Sequence, residues 1–288
     1  MNAQRSLNFR AALLSVLMLL VVLGIWYVAT SANTAANSTA GMTAEQIEYA
    51  KMMGKDPGSA KATGFPTLGQ MGTAIWGHLS DPFFDRGPNE KGIAIQLAHS
   101  LGRVGLGFFL AMLVAIPLGF VIGMSPLMRK AFDPFIQVLK PISPLAWMPL
   151  ALYTIKDSSA SGIFVIFICS IWPMLVNTAF GVSAVKREWL NVARTLEVNP
   201  LRTAFQVILP AAAPTILTGM RISMGIAWLV IVAAEMLVGG TGIGYFVWNE
   251  WNNLSLPNVI FAIGVIGVVG MLLDLLFGQI QKMVTYVE

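Results

Sequence analysis

The sequence predicts an all-α membrane protein with six transmembrane helices, on three observations. Of 288 residues, 56% are hydrophobic and only 11% are charged, where a soluble domain carries about 25% charged residues. The apolar residues gather into six runs, each about long enough to cross a bilayer core of roughly 30 Å. The basic residues collect in alternate connections between those runs, which is the asymmetry that orients a polytopic chain.

The first run, Ala11–Ala29, follows Arg5 and Arg10, which hold its start in the cytoplasm. A cleavable signal peptide would have an apolar core of about 7–15 residues. This run is longer, so residues 1–30 are expected to form a retained N-terminal anchor. Residues 31–92 are polar and rich in Ala, Gly, Asn and Thr, and read as an exported linker. Within it, Pro66–Leu79 places Leu68, Met71, Ile75 and Leu79 on one side, which predicts a short amphipathic helix behind a proline start. Asp81-Pro82 and Gly87-Pro88 mark turns.

Five further apolar segments follow, at 93–124, 131–155, 159–183, 208–237 and 257–281. Arg129, Lys130, Lys186, Arg187, Arg194, Arg202 and Lys282 fall in alternate connections, and the opposite ones beyond Gly92 hold Lys156 alone. Six spans with both termini in the cytoplasm satisfy this pattern. One cysteine, Cys169, excludes a disulfide within the chain, and two histidines (His78, His99) give no metal-ligand spacing. The net charge of +4 is spread over short loops, so nucleic-acid binding is not expected. Gly54-Lys55 lacks the upstream glycine of a phosphate loop, and Gly239–Gly244 follows a membrane segment and not a strand. No nucleotide site, catalytic site, cofactor or metal is therefore expected in this chain.

Ionisable groups inside spans default to functional candidates. Arg103, Arg221, Glu235 and Asp274 are of this kind. At about 1.5 Å per residue, Arg221 and Asp274 reach similar depths near the inner side, while Arg103 and Glu235 both approach the outer face. Two neutralising pairs are one reading, and a cationic side chain on an anion's path is the other. Arg221, Trp228 and Glu235 repeat at i, i+7, i+14 and form one helical stripe, which borders either a central path, the favoured reading, or another helix as plain packing. Lys140 lies among Pro141, Pro144 and Pro149, where a broken helix borders either a wet cavity or the inner surface. Asn177, His99 and Ser100 supply further hydrogen-bonding groups. The translocation-path candidates are thus Arg103, Lys140, Asn177, Arg221, Trp228 and Glu235.

The connection 186–210 is basic and amphipathic, and it closes Ile208-Leu209-Pro210. A helical core is expected over Trp189–Leu196, with Leu190, Ala193 and Leu196 at i, i+3 and i+6. Asn199-Pro200 should break the chain and Pro210 should open the next span. This stretch, NVARTLEVNPLRTAFQVILP, resembles the coupling loop of the membrane subunits of ATP-binding cassette (ABC) importers. Asn191, Val192 and Ala193 stand where that family has Glu-Ala-Ala, and Glu197 replaces its glycine. Further stretches (SLGRV at 100–104, KPISPLAWMPL at 140–150, IAWLVIVAAEML at 226–237) resemble the nitrate, bicarbonate, cyanate, sulfonate and taurine branch. IFVIFICSIWP at 163–173 and TGIGYFVWNEWNN at 241–253 are similar to nitrate-type members.

The resemblance, spread over about residues 93–281, implies a type I importer core of five helices behind an extra N-terminal helix, with residues 93–288 as the transmembrane domain. It implies a permease subunit in the bacterial inner membrane that conducts a small inorganic anion, nitrate or nitrite before sulfonate, taurine, bicarbonate or cyanate. Separate ATPase subunits would bind ATP and Mg and dock through Asn191, Val192, Ala193, Arg194, Glu197, Arg202, Leu209 and Pro210. An extracytoplasmic binding protein, a second copy of the chain and membrane lipid complete the implied partners. Two readings come from other classes. A secondary transporter would need internal repeats and ion-coupling carboxylates at mid-membrane, which the sequence does not display. A non-transporting scaffold would not need the 186–210 loop or the broken Lys140–Pro149 segment.

Overall fold

The computed structural model describes residues 2–36, 65–87 and 90–284. All described elements are helical, apart from one isolated antiparallel bridge between Asp85 and Lys91. They divide into two compact units, one of Met1–Ser80 with Leu254–Phe261, the other of Asp81–Asn253 with Ala262–Glu288.

The first unit contains α1 (Asn2–Ala36) and α2 (Leu68–Ser80). The part of α1 that is apolar enough to span a membrane, Phe9–Thr30, buries none of its most apolar window within the protein, as expected of a helix whose solvent is lipid. Indole Nε1 of Trp26 donates to the carbonyl of Pro66 at 2.9 Å, and its ring lies 5.2 Å from that of Phe65. The helix expected from Pro66 starts at Leu68, because Thr67 and Gln70 cap it reciprocally. Gln70 N donates to Thr67 Oγ1 (3.3 Å), and Thr67 N donates to Gln70 Oε1 (3.0 Å), a capping box with Pro66 just outside. The His78 ring stacks on Phe261 at 5.1 Å.

The second unit is built on three long helices: α3 (Ile93–Met124), α6 (Ser158–Ser183) and α8 (Pro200–Val238). Glycines set the approach of α3 to α6. A Cβ at Gly107 would strike Ile166, one at Gly119 would strike Thr178, and one at Gly123 would strike Val182. The sequence offset is the same at all three points, so α3 and α6 run parallel and their backbones nearly touch. Between α6 and α8, Gly181 meets Thr215 and Gly219 meets Asn177, an antiparallel match. Ser223 Oγ adds a cross-helix bond to the Ser170 carbonyl at 2.7 Å.

Parallel packing of α3 and α6 requires the chain between them to recross the layer. It does so as a broken pair, α4 (Pro126–Leu139) and α5 (Pro144–Ile155), bent by 91°. The single span expected at 131–155 is therefore two helices. Pro141 and Pro144 cannot donate to the preceding turn, and the helix fails over Lys140–Ser143. Lys156 closes α5 in the left-handed conformation (φ 60°), and the Asp157 carboxylate caps α6 by accepting from Ala160 N at 2.6 Å.

After α6 the short helix α7 (Arg187–Thr195) precedes α8. The span expected at 208 starts at Pro200, where Asn199 Oδ1 caps it by accepting from Leu201 N at 3.1 Å. Pro210 consequently lies inside the helix. Its ring would clash with the carbonyl four residues back, and the π-helical turn Ala204–Ile208 opens the ladder at that point. The chain closes with α9 (Ile243–Asn252) and α10 (Leu256–Val284). Five described helices are long and apolar enough to span a membrane, six if the bent pair counts as one span. The chain is a multi-pass all-α membrane protein.

Candidate functional site

Two polar constellations and one amphipathic helix stand out against the apolar bundle. The first lies where α3, α6, α8 and α9 meet. Arg103 and Glu235 are brought together: guanidinium Nη1 donates to Glu235 Oε1 at 2.8 Å and to the Thr241 carbonyl at 2.6 Å. Arg103 Nε donates to Ser159 Oγ at 3.0 Å. The Glu235 carboxylate also accepts from Ser100 Oγ (2.8 Å to Oε2) and Gly244 N (3.0 Å). Gln96 Oε1 accepts from Gly242 N at 2.7 Å and Ser100 Oγ accepts from Ile243 N at 2.9 Å. Glu235 is only 3% exposed.

A desolvated carboxylate is tolerable when it is paired and fully hydrogen-bonded, and here every partner is supplied by this chain. The node fixes the α8–α9 turn against α3. Gly242 and Gly244 are required there, because a Cβ on the first would overlap the Glu235 carboxylate and on the second the Val232 carbonyl. Gln96 and Ser100 complete this node, and the sequence singled out Ser100 only as a generic donor. The neighbouring cue was the Gly-rich turn, whose backbone N–H groups need acceptors.

The second constellation joins α8 to α10. Arg221 Nε donates to Asp274 Oδ1 at 2.6 Å and Nη2 to Oδ2 at 2.5 Å, a bidentate fork. Side-chain exposures are 40% and 53%, so this pair stays open where the other is sealed. It lines a recess of about 510 Å³ with Gly278, Gln281 and Lys282. Gln281 Nε2 donates to Thr218 Oγ1 at 2.9 Å and extends the polar seam.

Trp228 was expected on the same path-facing stripe, and the structure corrects this. It is 3% exposed, its Nε1 donates to the Ile266 carbonyl at 3.0 Å, and its ring covers Gly270. The stripe's slow drift turns Trp228 into the α8–α10 seam and Glu235 into the sealed node. Only Arg221 of the three borders open space. Asn177 is half-buried between α6 and α8 and returns Nδ2 to the Pro173 carbonyl at 2.8 Å. Lys140 is exposed at the bend between α4 and α5, and His99 is exposed on α3. The structure does not bring Lys140, Asn177 and Arg221 into one site.

The third feature is α7. Its inward side is Ala193, buried, and Leu190, which packs on the apolar cluster of Val182, Val185, Ile208, Ala212 and Ile216. The helix expected to run to Leu196 ends at Thr195, and Leu196, out of its phase, is 70% exposed. Trp189 (43%) and Val192 (59%) are also uncovered, with the Lys186 ammonium 5.4 Å from the Trp189 ring. The helix ends in a Schellman turn: Glu197 N donates to the Arg194 carbonyl and Val198 N to the Ala193 carbonyl, each at 3.0 Å. Glu197 occupies the left-handed position of that turn (φ 50°). That conformation favours glycine. The residue differs from the coupling-loop pattern, but the backbone shape the glycine would serve is present. Arg202 Nε donates to Gln206 Oε1 at 3.0 Å one turn into α8, and Leu209 and Pro210 follow the π turn.

Comparisons with known proteins agree with one another. Residues 115–286 match the family described as binding-protein-dependent transport system inner membrane component. The nitrate import permease protein NrtB of Synechocystis sp. is 42% identical over 230 residues, covering 80% of this chain and 84% of that protein. The bicarbonate transport system permease protein CmpB of the same organism is 42% identical over 207 residues, covering 72% of this chain and 74% of that protein. A solved structure of the methionine transporter MetNI in an inward-facing conformation superposes with TM-score 0.61 at 12% identity, over 67% of this chain and 96% of that one. Its likeness speaks to the fold, which is that of the type I importer permeases. Secondary-transporter and scaffold readings fall with these matches. The chain belongs to the ABC importer permeases, in their nitrate, bicarbonate and taurine branch.

Proposed function

We propose that this permease conducts nitrate or nitrite into the cytoplasm, that ATPase subunits grip it through α7, and that Arg221 with Asp274 faces the route. As an importer permease it has no catalytic role of its own; ATP is bound by a partner ATPase, and a binding protein is the other partner the family implies. Identity of 42% with a nitrate import permease over four-fifths of the chain carries the substrate reading. Bicarbonate is the second reading, because a bicarbonate permease is equally identical over a somewhat shorter stretch. Both are small planar monoanions, for which one positive charge and a few donors suffice.

The route is argued from exposure. An ion pair uncovered on a membrane span cannot face lipid without a large penalty. Arg221 and Asp274 therefore need an aqueous path or a second protein surface beside them. A second copy related by a two-fold axis supplies both, with the two α8–α10 seams enclosing the route. The basic connections support an orientation with both termini and α7 in the cytoplasm. ATP-driven approach of the ATPase subunits would then move the two α7 helices and rock the spans as rigid bodies.

ATPase activity of the reconstituted complex with its binding protein, titrated with nitrate, nitrite, bicarbonate, cyanate and taurine, tests the substrate. Stimulation by nitrate or nitrite alone is the expected result; stimulation by bicarbonate alone transfers the chain to the second reading. In the same assay Arg221→Ala should abolish stimulation. Recovery on adding Asp274→Ala would show the pair to be structural and take Arg221 off the route.

A further inference from the structure

A recess lies on the other side of α7 from its uncovered face. It has a volume of about 650 Å³ and sits between the C-terminal ends of α3 and α6, the start of α4, and α7 itself. Four cations line it, Arg129, Lys130, Arg187 and Arg194, and no carboxylate does. All four are exposed, and none forms an ion pair among the described residues. Arg129 Nη2 donates to Ser183 Oγ at 2.7 Å, which fixes the guanidinium at the rim without neutralising it. The inner wall is apolar, from Ile122, Val182 and Ile208.

The adjoining helix α4 completes the picture. Arg129, Asp133 and Gln137 repeat at i, i+4, i+8 on one polar stripe, with Gln137 Nε2 bonded to Asp133 Oδ2 at 2.8 Å. Apart from Lys130, the rest of α4 is apolar, and the helix buries no residue in this chain. Leu127 is 72% exposed, Phe135 65% and Val138 67%. One ligand with an anionic head and apolar tails satisfies both surfaces. We infer that the recess behind α7 binds the headgroup of an anionic phospholipid, whose acyl chains lie along α4.

Several observations favour lipid over an acidic protein surface. The cations stand where the long helices α3 and α6 end, which is the level of the headgroups for helices that span a bilayer. Basic pockets between membrane helices attract anionic headgroups at that level. An acidic segment of a partner would use the charge but leave the apolar side of α4 bare. The consequence is functional. Arg187 and Arg194 belong to α7, so an occupied recess braces the coupling helix from behind, between the spans and the face offered to the ATPase.

The test uses the whole complex, reconstituted in vesicles of phosphatidylglycerol and phosphatidylethanolamine in equal parts, extracted gently and weighed intact by native mass spectrometry. Phosphatidylglycerol should be retained preferentially. Arg129→Gln with Lys130→Gln should lower its retention about 30-fold, from roughly fivefold per neutralised charge. The charge-conserving pair Arg129→Lys, Lys130→Arg should retain it, which separates loss of charge from loss of fold. Equal retention of both lipids, or undiminished retention in the neutralised variant, overturns the proposal. Displacement of the lipid by excess inorganic phosphate would identify a free-anion site instead. Retention by the permease alone but not by the assembled complex would identify the recess as part of the ATPase interface.

Discussion

Glu235→Ala should destabilise the second unit by about 3–5 kcal/mol, the cost of removing one partner of a buried ion pair. Arg103, with a side chain only 16% exposed, would keep its charge with Ser159 and the Thr241 carbonyl as its remaining partners. Gly244 N would lose its acceptor, and Ser100 Oγ would keep only the Gln96 carbonyl. The α8–α9 turn would then come away from α3, since Gly242 and Ile243 are held by the same cluster. Thermal unfolding of the purified complex in detergent, followed by tryptophan fluorescence, should show a large fall in midpoint and in yield. Replacing both residues, Arg103→Leu with Glu235→Leu, should recover much of the loss, because no unpaired charge remains. A single Glu235→Ala variant as stable as the parent would mean that the node is solvated in the working protein.

Val192→Glu should weaken docking of the ATPase by about 30-fold or more, the effect of disrupting a central interface contact worth roughly 2 kcal/mol. Val192 is 59% exposed and sits between Trp189 and Leu196, both uncovered, so the new carboxylate leaves the folded chain unstrained. The contrasting variant is Leu190→Glu, which puts a charge into the cluster of Val182, Val185 and Ile208 and should detach α7 itself. Arg194→Ala and Glu197→Ala should have smaller effects on docking. Binding of the ATPase to permease in nanodiscs, measured alongside melting of the permease alone, distinguishes the cases. Loss of docking without loss of stability is expected for Val192→Glu only. Unchanged docking would remove this face of α7 from the interface.

The sequence made the spans legible because bilayer thickness imposes a length and loop charge imposes a direction. Boundaries were less accessible where proline chemistry intervenes. Pro210 reads as a helix start, yet the π turn at Ala204–Ile208 accommodates it inside a helix that begins at Pro200. The prolines around Lys140 signalled a break, but not that the two halves would meet at 91°. Both ion pairs followed from counting residues along helices, since depth is nearly linear in sequence for a spanning helix. Which pair is sealed and which is open did not follow, because that depends on a third helix. Glu235 is covered by α9, while Arg221 is paired to α10 beside an open recess. Trp228 misled for the same reason: a stripe on one helix does not say which neighbour each residue meets.

The 186–210 connection was legible in its charge and closing proline, and less so in where its helix ends. Leu196 follows the helical spacing of Leu190 and Ala193, but helical spacing ends where the helix does. Glu197 gave no sequence cue to a left-handed turn, because that conformation is chosen by the Schellman bonds and not by the side chain.

On the proposed reading, energy from ATP enters this chain through α7. The most direct test is accumulation of isotopically labelled nitrate in proteoliposomes holding the permease, its ATPase and its binding protein, with wild type beside Val192→Glu. Accumulation that requires ATP in the wild type, and that is lost in the variant while the spans remain folded, is the predicted result. Accumulation without ATP, or at wild-type rate in the variant, would contradict it.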